Sequence, residues 1–417
     1  MAGEIEGLKL DAMRNLCEVL GDPQLAQPAI HITGTNGKGS VARIVTALLG
    51  AHDLTVGTFT SPDLESINER IARNGEPITD DQLAAVLTDL AALEPLLDHR
   101  PSRFELLVGG ALRWFSDEAV QAAVVEVGLL GRWDATNVID GVVAVLTNVG
   151  LDHTDGKGDW RRRVATEKAG IVKPGSTFVL GETDPDLADI FAAVPAPLTW
   201  RRRVDFDCTA NTVAVGGRLL DLRTPGRSYD DVFLPLHGPH QGDNAAIALA
   251  AVEAFFERPV EPEIVAEAFA SVRTPGRFEV IGRDPLVVLD GAHNPDGADA
   301  LAHTLDEGFA VPGERHLVVG VLEGRDPRDL LERLDAADAA EVVCCSPDSP
   351  RAMPADALAA IVAELGGTPR VAPSVAEAVH MALDLAEPGD AVLVTGSLYT
   401  VGAARTACRA IPGLTVS

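Results

Sequence analysis

Short apolar runs set between segments of helical period constrain this chain more than any other feature. Residues 123–127 (AVVEV) and 142–147 (VVAVLT) are nearly continuous apolar stretches. They are too short for helices and lack the polar alternation of a half-exposed strand. Strands buried on both faces read this way, and they belong to parallel sheets covered by helices. Residues 28–33 and 54–59 add two more strands. Val41, Ile44, Val45, Leu48 and Leu49 recur at helical spacing, and 81–96 and 103–116 are read as helical stretches. Strand and helix alternate, which predicts a doubly wound α/β sheet. From about 197 to 236 the pattern shifts to short β segments with Gly and Pro, predicting a small antiparallel sheet. Helices are expected at 241–257 and 262–271.

A second α/β unit follows. Strands are expected at 286–290, 316–322, 340–345 and 391–395, and helices near 297–307, 327–334, 355–364, 374–385 and 400–409. The pentapeptide RTPGR at 273–277 is placed at the hinge, giving domains 1–275 and 276–417. The same five residues occur at 223–227, but their flanks differ, so no structural repeat is inferred.

Charge and cysteine usage narrow the function. The 417 residues carry 34 basic and 62 acidic side chains, a net charge of −28. Nucleic acid binding is disfavoured, because neutralising phosphates needs a basic surface. No apolar run approaches the ~18–20 residues of a membrane span. The start, Met1 to Glu6, is acidic and lacks the apolar region of a signal peptide. The five cysteines show no CxxC spacing and their number is odd, so a reduced cytoplasmic enzyme without a disulfide or zinc framework is expected. Only five basic residues are lysine (Lys9, Lys38, Lys157, Lys168 and Lys173). A lysine inside a motif is therefore informative.

Gly34-Thr35-Asn36-Gly37-Lys38-Gly39-Ser40 sits between a strand and a helix. Backbone N–H groups and a helix N-terminus there present partial positive charge to a triphosphate. Lys38 can reach terminal phosphates and Ser40 can touch phosphate or Mg²⁺. The common GxxxxGK(S/T) spacing is not met, since residue 32 is Ile and Gly39 separates Lys38 from Ser40.

This stretch, HITGTNGKGSV at 31–41, resembles the nucleotide loop of the folylpolyglutamate synthase/dihydrofolate synthase family, a branch of the Mur-type amide ligases. The resemblance continues through TSPDL at 60–64 with NERI at 68–71, EVGLLGRWDATNV at 126–138, TNVGLDHT at 147–154 and EKAGIVKPG at 167–175. It extends to HQGDN at 240–244, PGRFE at 275–279, LDGAHNP at 289–295 and TGSLY at 395–399. It implies a P-loop ATPase domain and a Rossmann-like C-terminal domain, with ATP in the cleft between them. In that family ATP phosphorylates a carboxylate of a pterin-bearing substrate, and the amine of L-glutamate then attacks the acyl phosphate.

The resemblance also assigns roles. Ser61, Glu126 and His153 are expected at two Mg²⁺ sites. Oxygen donors with an occasional imidazole suit such hard cations. Lys168 is expected to be catalytic and carbamylated to N6-carboxylysine, which requires a pocket that lowers its pKa. His293 is a second catalytic candidate on the glutamate side. Thr35, Asn36, Gly37, Lys38, Gly39, Ser40, Gln241, Asn244, Arg277 and Asp290 are expected to hold ATP, with Gln241 and Asn244 reading the adenine edge. Arg277 is preferred over its twin Arg227, which lacks the PGRFE context. Phe104, Trp133, Asp134 and Ser397 are the substrate candidates.

Several residues depart from the family pattern. Leu130 replaces a glycine, so its Cβ would conflict with positive φ. Trp133 stands where an aliphatic residue is usual and could stack on a pterin or fill space. Asp63 replaces His or Tyr, Arg325 replaces Lys, and little room precedes Gly34 for a pteroate-binding helix. The Arg161–Arg163 and Arg201–Arg203 runs are assigned no role, since such triplets are usually solvated faces. The expected activity is ATP-dependent glutamate addition to a folate or dihydropteroate by a monomer. A ligase of the same mechanism on another carboxylate, and an ATP-binding regulator without catalysis, are the rival readings.

Overall fold

The computed structural model describes residues 9–416 apart from 153, 155 and 325. It divides into two compact units. Unit 1 contains the chain up to Asp63, Ile67–Pro235 and His240–Arg273. Unit 2 contains the chain from Thr274 together with the short segments Leu64–Ser66 and Leu236–Pro239.

Unit 1 is built on strands β1 (Ala29–Thr33), β2 (Val56–Phe59), β3 (Ile71–Arg73), β4 (Glu76–Pro77), β5 (Ala122–Glu126), β6 (Val143–Leu146), β7 (Thr177–Leu180) and β8 (Leu198–Arg201). They form one sheet in the order β4-β3-β2-β5-β1-β6-β7-β8. The six strands from β2 to β8 pair in parallel, and β3 and β4 add an antiparallel edge. Strands β1, β5 and β6 are buried at every residue, which is why they read as unbroken apolar runs.

Helices cover both faces. On one side lie α1 (Asp11–Val19), α3 (Asp80–Leu93) and α4 (Arg103–Asp117), which share a core with Phe59, Ala123 and Val125. On the other, α2 (Lys38–Ala51) packs along α7 (His240–Phe256) and beside α8 (Pro262–Ser271). Beyond β6, α5 (Trp160–Ala169) and the short α6 (Ala188–Ala192) cover Ala144, Leu146 and Phe178. Strands β9 (Asp207–Ala214), β10 (Gly217–Arg223) and β11 (Ser228–Leu234) form the small antiparallel sheet. The stretch expected to be antiparallel from 197 is corrected at its start: β8 pairs in parallel with β7 and belongs to the main sheet.

Helix α1 lies in the stretch before Gly34, where little room was expected for a pteroate-binding helix. Its signal is present in the chain: Met13, Leu16, Cys17 and Leu20 are buried at i, i+3, i+4 and i+7.

Unit 2 is a six-stranded sheet in the order β12-β13-β17-β14-β15-β16. The strands are β12 (Glu279–Arg283), β13 (Leu286–Leu289), β14 (Arg315–Val319), β15 (Glu341–Cys344), β16 (Pro369–Val371) and β17 (Ala391–Thr395). Only the edge strand β12 is antiparallel. Residues alternate between the two faces, as a pleated strand requires. Leu317 and Val319 join one core with α9 (Pro295–Gly308), α10 (Pro327–Arg333) and α11 (Ala355–Glu364), while Val318 joins the other with α12 (Val375–Leu385) and α13 (Leu398–Cys408).

The segment Leu64–Ser66 is strapped to unit 2 by charge. Glu65 accepts from Arg409 Nη1 and Nη2 at 2.5 and 2.7 Å and from Arg405 Nε at 3.1 Å. Arg405, itself buried, also pairs with Glu279.

Candidate active site

The loop from Gly34 to Ser40 joins the end of β1 to the first turn of α2, as the strand–turn–helix reading expects. Gly37 is the N-cap of α2 at φ +82°, a left-handed conformation that favours glycine. A Cβ there would also strike Asn244 Oδ1, so Asn244 packs against the head of the loop. Its Nδ2 donates to Gln241 Oε1 at 3.0 Å, and both side chains are buried in the first turn of α7.

The segment after β6 braces the loop. Asn148 Oδ1 accepts from Thr35 N–H and Asn36 N–H at 3.2 and 2.9 Å, and Thr147 Oγ1 donates to Asn36 O at 2.6 Å. Gly150 N–H donates to Thr35 Oγ1 at 2.9 Å. Asn148 was not among the expected site residues, although it lies in the TNVG stretch that signals this segment. Lys38 Nζ donates to Gly34 O and Thr35 O, both at 3.1 Å, folding back over the loop.

Lys168 sits in the last turn of α5, buried to 4% exposure. Its Nζ donates to Gly34 O at 2.7 Å, which places a second lysine at the same loop. Burial first, and then the neighbouring Lys38 charge, hold its pKa well below the ordinary lysine value, while Asp152 and Asp134 pull upward. This is the environment an amine needs to stay neutral and react with CO₂.

Glu126 closes β5 and is 4% exposed. Its Oε2 accepts Ser61 N–H at 3.1 Å and lies 3.6 Å from where a Cβ on Gly39 would stand. The carboxylate, the Ser61 chain and the loop are thus neighbours. Oxygen donors of this kind suit a hard divalent cation. Arg70 Nη1 reaches Ser61 Oγ at 3.4 Å and Arg70 Nε is held by Asp63 Oδ1 at 2.5 Å. The unusual Asp63 therefore orients an arginine beside Ser61. His153 and Arg325 lie outside the described residues.

The turn after β5 carries two of the substrate candidates, Trp133 and Asp134. Leu130 takes φ +57° in spite of its side chain, a conformation that costs roughly 1–2 kcal/mol for a residue with a Cβ. Its side chain is buried with Val127, Ala165 and Ile171, and burying a leucine offsets about 1.5–3 kcal/mol. Leu129 and Trp133 are 41% and 39% exposed, and Phe104 packs over Gly128. Asp134 lies beneath them. It accepts from Leu129 N–H at 2.7 Å and from Thr136 N–H and Oγ1 at 3.0 and 2.6 Å, so it shapes this turn. Burial raises its pKa against those bonds.

Unit 2 gathers the remaining candidates at the ends of β13 and β17. Asp290 accepts from Phe278 N–H at 2.7 Å and Ala292 N–H at 2.8 Å. Burial raises its pKa, and the Arg277 charge opposes that. A Cβ on Gly291 would stand 3.1 Å from Arg277 Nη1, so Arg277 lies along this turn. His293 is half-buried, with Nδ1 2.7 Å from Gly291 O. Ser397 caps α13, accepting from Thr400 N–H at 3.1 Å. The twin Arg227 is instead half-exposed at a hairpin turn and paired with Glu261 at 2.8 Å. Both arginine triplets include local ion pairs: Arg161 with Asp184, Arg162 with Asp189, Arg201 with Asp205 and Arg202 with Asp243.

Comparison with known proteins bears on this arrangement. Residues 276–398 match the family described as Mur ligase, glutamate ligase domain. The dihydrofolate synthase/folylpolyglutamate synthase of Mycobacterium tuberculosis is 40% identical over 432 aligned positions, covering 94% of this chain and 88% of that protein. A crystal structure of Mycobacterium tuberculosis folylpolyglutamate synthase complexed with ADP and AMPPCP is 39% identical with a TM-score of 0.91, covering 96% and 95% of the two chains. The Yersinia pestis bifunctional enzyme complexed with AMPPNP and a Mn ion is 30% identical with a TM-score of 0.85, covering 96% and 94%. With a braced nucleotide loop, a buried lysine beside it and likeness across nearly the whole length, the chain belongs to the folylpolyglutamate synthase/dihydrofolate synthase family.

Proposed function

We propose that this chain is an ATP-dependent ligase that joins L-glutamate to the carboxylate of a folate or a dihydropteroate. The observation that carries the reading is the meeting of Lys38, Lys168, Glu126 and the Ser61 segment at one nucleotide loop. The ligands of the relatives' crystal structures, ADP and AMPPCP in one and AMPPNP with Mn in another, support nucleotide and divalent-metal binding by this chain.

In the proposed reaction a carboxylate oxygen of the pterin-bearing substrate attacks the γ-phosphorus of ATP. The bond to the β-bridging oxygen breaks and ADP leaves. The glutamate amine then attacks the acyl carbon, its proton is lost, and inorganic phosphate departs. Loop N–H groups and Lys38 hold the triphosphate, and charge placed where charge develops is the main contribution of such a site. Ser61, Glu126 and His153 would hold divalent cations at two sites, which supply charge neutralisation along the phosphates when bound. Lys168 is proposed to take up CO₂: its neutral amine adds to the carbon, a proton leaves, and an anionic N6-carboxylate replaces the uncharged amine. Arg277 and Asp290 bind ATP, His293 and Ser397 serve the glutamate side, and Phe104, Trp133 and Asp134 receive the pterin. Gln241 and Asn244 complete the nucleotide site.

We place the enzyme in the cytoplasm as a monomer. All five cysteines are free thiols, and four are buried, which suits a reducing compartment. No helix among the described residues is long and apolar enough to cross a membrane.

The test is release of ADP. It should require glutamate and a pterin-bearing carboxylate together. ADP release that ignores both would point instead to an ATPase or a nucleotide-binding regulator.

A further inference from the structure

Residues 148 and 150 brace the nucleotide loop, and the residue between them is itself held by two charged side chains. Val149 N–H donates to Glu182 Oε2 at 2.7 Å, and Val149 O accepts from Arg161 Nε at 3.2 Å. Asn148 and Gly150 then meet Thr35 and Asn36 of the loop. Glu182 follows β7, Val149 follows β6 and the loop follows β1. The contacts therefore run across the C-terminal ends of three neighbouring strands in one sheet.

The arrangement is a costly one to build. The Glu182 side chain is only 9% exposed, and a carboxylate so placed is unfavourable unless N–H groups and a positive charge meet it. Its two oxygens divide the work. Oε1 accepts from Thr183 N–H and Asp184 N–H at 2.8 and 2.9 Å, which holds its own turn. Oε2 is the one given to Val149, and Arg161 Nη2 stands 3.5 Å from it. Arg161 Nη1 pairs with Asp184. A planar guanidinium can serve all three acceptors at once, which a lysine ammonium on its flexible stem does less well. Arg161 lies in the first turn of α5, the helix whose last turn carries Lys168. Its neighbour Arg162 pairs with Asp189 instead.

We infer that Glu182 and Arg161 are positioning residues for the nucleotide site, an assignment that rests on the proposed reading of the 34–40 loop as the place where ATP binds. By fixing both backbone polar groups of Val149 they set Asn148 and Gly150, and through these the loop N–H groups. One member of the arginine triplet at 161–163 thereby gains a role that its neighbour Arg162 lacks. Because Glu182 acts through Asn148, its loss should matter much less once Asn148 is already gone.

The test is titration of the full chain with MgATP, without glutamate or a pterin substrate. Glu182→Gln keeps the volume but has one acceptor oxygen for three N–H groups, so ATP should bind about tenfold more weakly. Arg161→Ala should weaken binding at least about threefold, and Arg162→Ala should stay within about twofold. Adding Glu182→Gln to Asn148→Ala should cost no more than about threefold beyond Asn148→Ala alone, whereas independent residues would multiply their effects. A merely structural role for Glu182 would give that multiplication. Arg161 is half-exposed, so Arg161→Ala keeps the test open if Glu182→Gln fails to fold. Parent-like ATP affinity in a folded Glu182→Gln or Arg161→Ala chain, equal losses in Arg161→Ala and Arg162→Ala, or multiplied effects in the double variant would each overturn the positioning role. Lys38→Ala separates this from the reading beneath it. Parent-like binding in Lys38→Ala would overturn the loop as the ATP site, whereas a loss there with none in Glu182→Gln would overturn the positioning role alone.

Discussion

A lysine buried beside a second lysine costs stability wherever its amine would rather hold a proton. The pKa of Lys168 is lowered in the fold, so the unfolded chain binds more protons below the ordinary lysine value of 10.5. Stability therefore rises with pH through the window from the lowered folded pKa up to 10.5. Lys168→Met should raise the thermal midpoint at neutral pH in CO₂-free buffer, and the gain should shrink as pH approaches 10.5. The same site should lose turnover by about 10²-fold or more in Lys168→Ala while ATP still binds. Near-normal turnover would remove this side chain from the mechanism. The two RTPGR copies give an internal control. Arg277→Ala should lower activity by about 10²-fold, whereas Arg227→Ala, which removes a surface ion pair with Glu261 and a hydrogen bond to Val260 O, should stay within about twofold. Steady-state kinetics on both variants checks this, and the reverse order would mean that the wrong copy was chosen. Lys168 was legible because lysine is rare here and because the motif around it resembles a family. The φ of Leu130 was legible as a conflict, and the structure keeps both the leucine and the positive φ.

At the scale of elements, burial decides what the sequence reveals. Strands β1, β5 and β6 are buried at every position, so their runs are unmistakable. Helix α5 carries the buried Lys168 on a sequence half of whose residues are charged, WRRRVATEKA, with almost no apolar period to read. The three-residue strands β3 and β16 are too short to stand out, and their pairing is a tertiary matter. The bracing of the nucleotide loop by Asn148 is likewise invisible locally, because the partners are more than a hundred residues apart. Asn148→Ala would leave the Asn36 N–H without this acceptor and weaken the hold on Thr35. It should cost about 1–3 kcal/mol of stability and weaken ATP binding about tenfold. Thermal unfolding and nucleotide titration measure the two effects. ATP affinity equal to that of the parent would show that the loop holds its shape without the brace.

The whole molecule consists of two units whose sequence boundary is not a single point. A break near residue 274 was legible from the RTPGR pentapeptide, but the assignment of Leu64–Ser66 to unit 2 was not. That assignment rests on Glu65 meeting Arg405 and Arg409 some 340 residues later. Glu65→Ala should destabilise unit 2 by about 3 kcal/mol, since it removes a partner of the buried Arg405. Calorimetric unfolding would show a lowered transition, and an unchanged one would mean that Glu279 suffices. The charge of −28 still has to admit anionic ATP and folate, so Lys38 and the N-terminus of α2 have to supply positive charge locally at the nucleotide loop. Its chemistry is tested most directly by mass spectrometry of products after incubation with MgATP, L-glutamate and either dihydropteroate or tetrahydrofolate. A gain of one glutamyl unit on at least one of them is predicted: on dihydropteroate for dihydrofolate synthase activity, on tetrahydrofolate for folylpolyglutamate synthase activity. Unchanged masses on both, with ATP bound, would contradict the ligase reading.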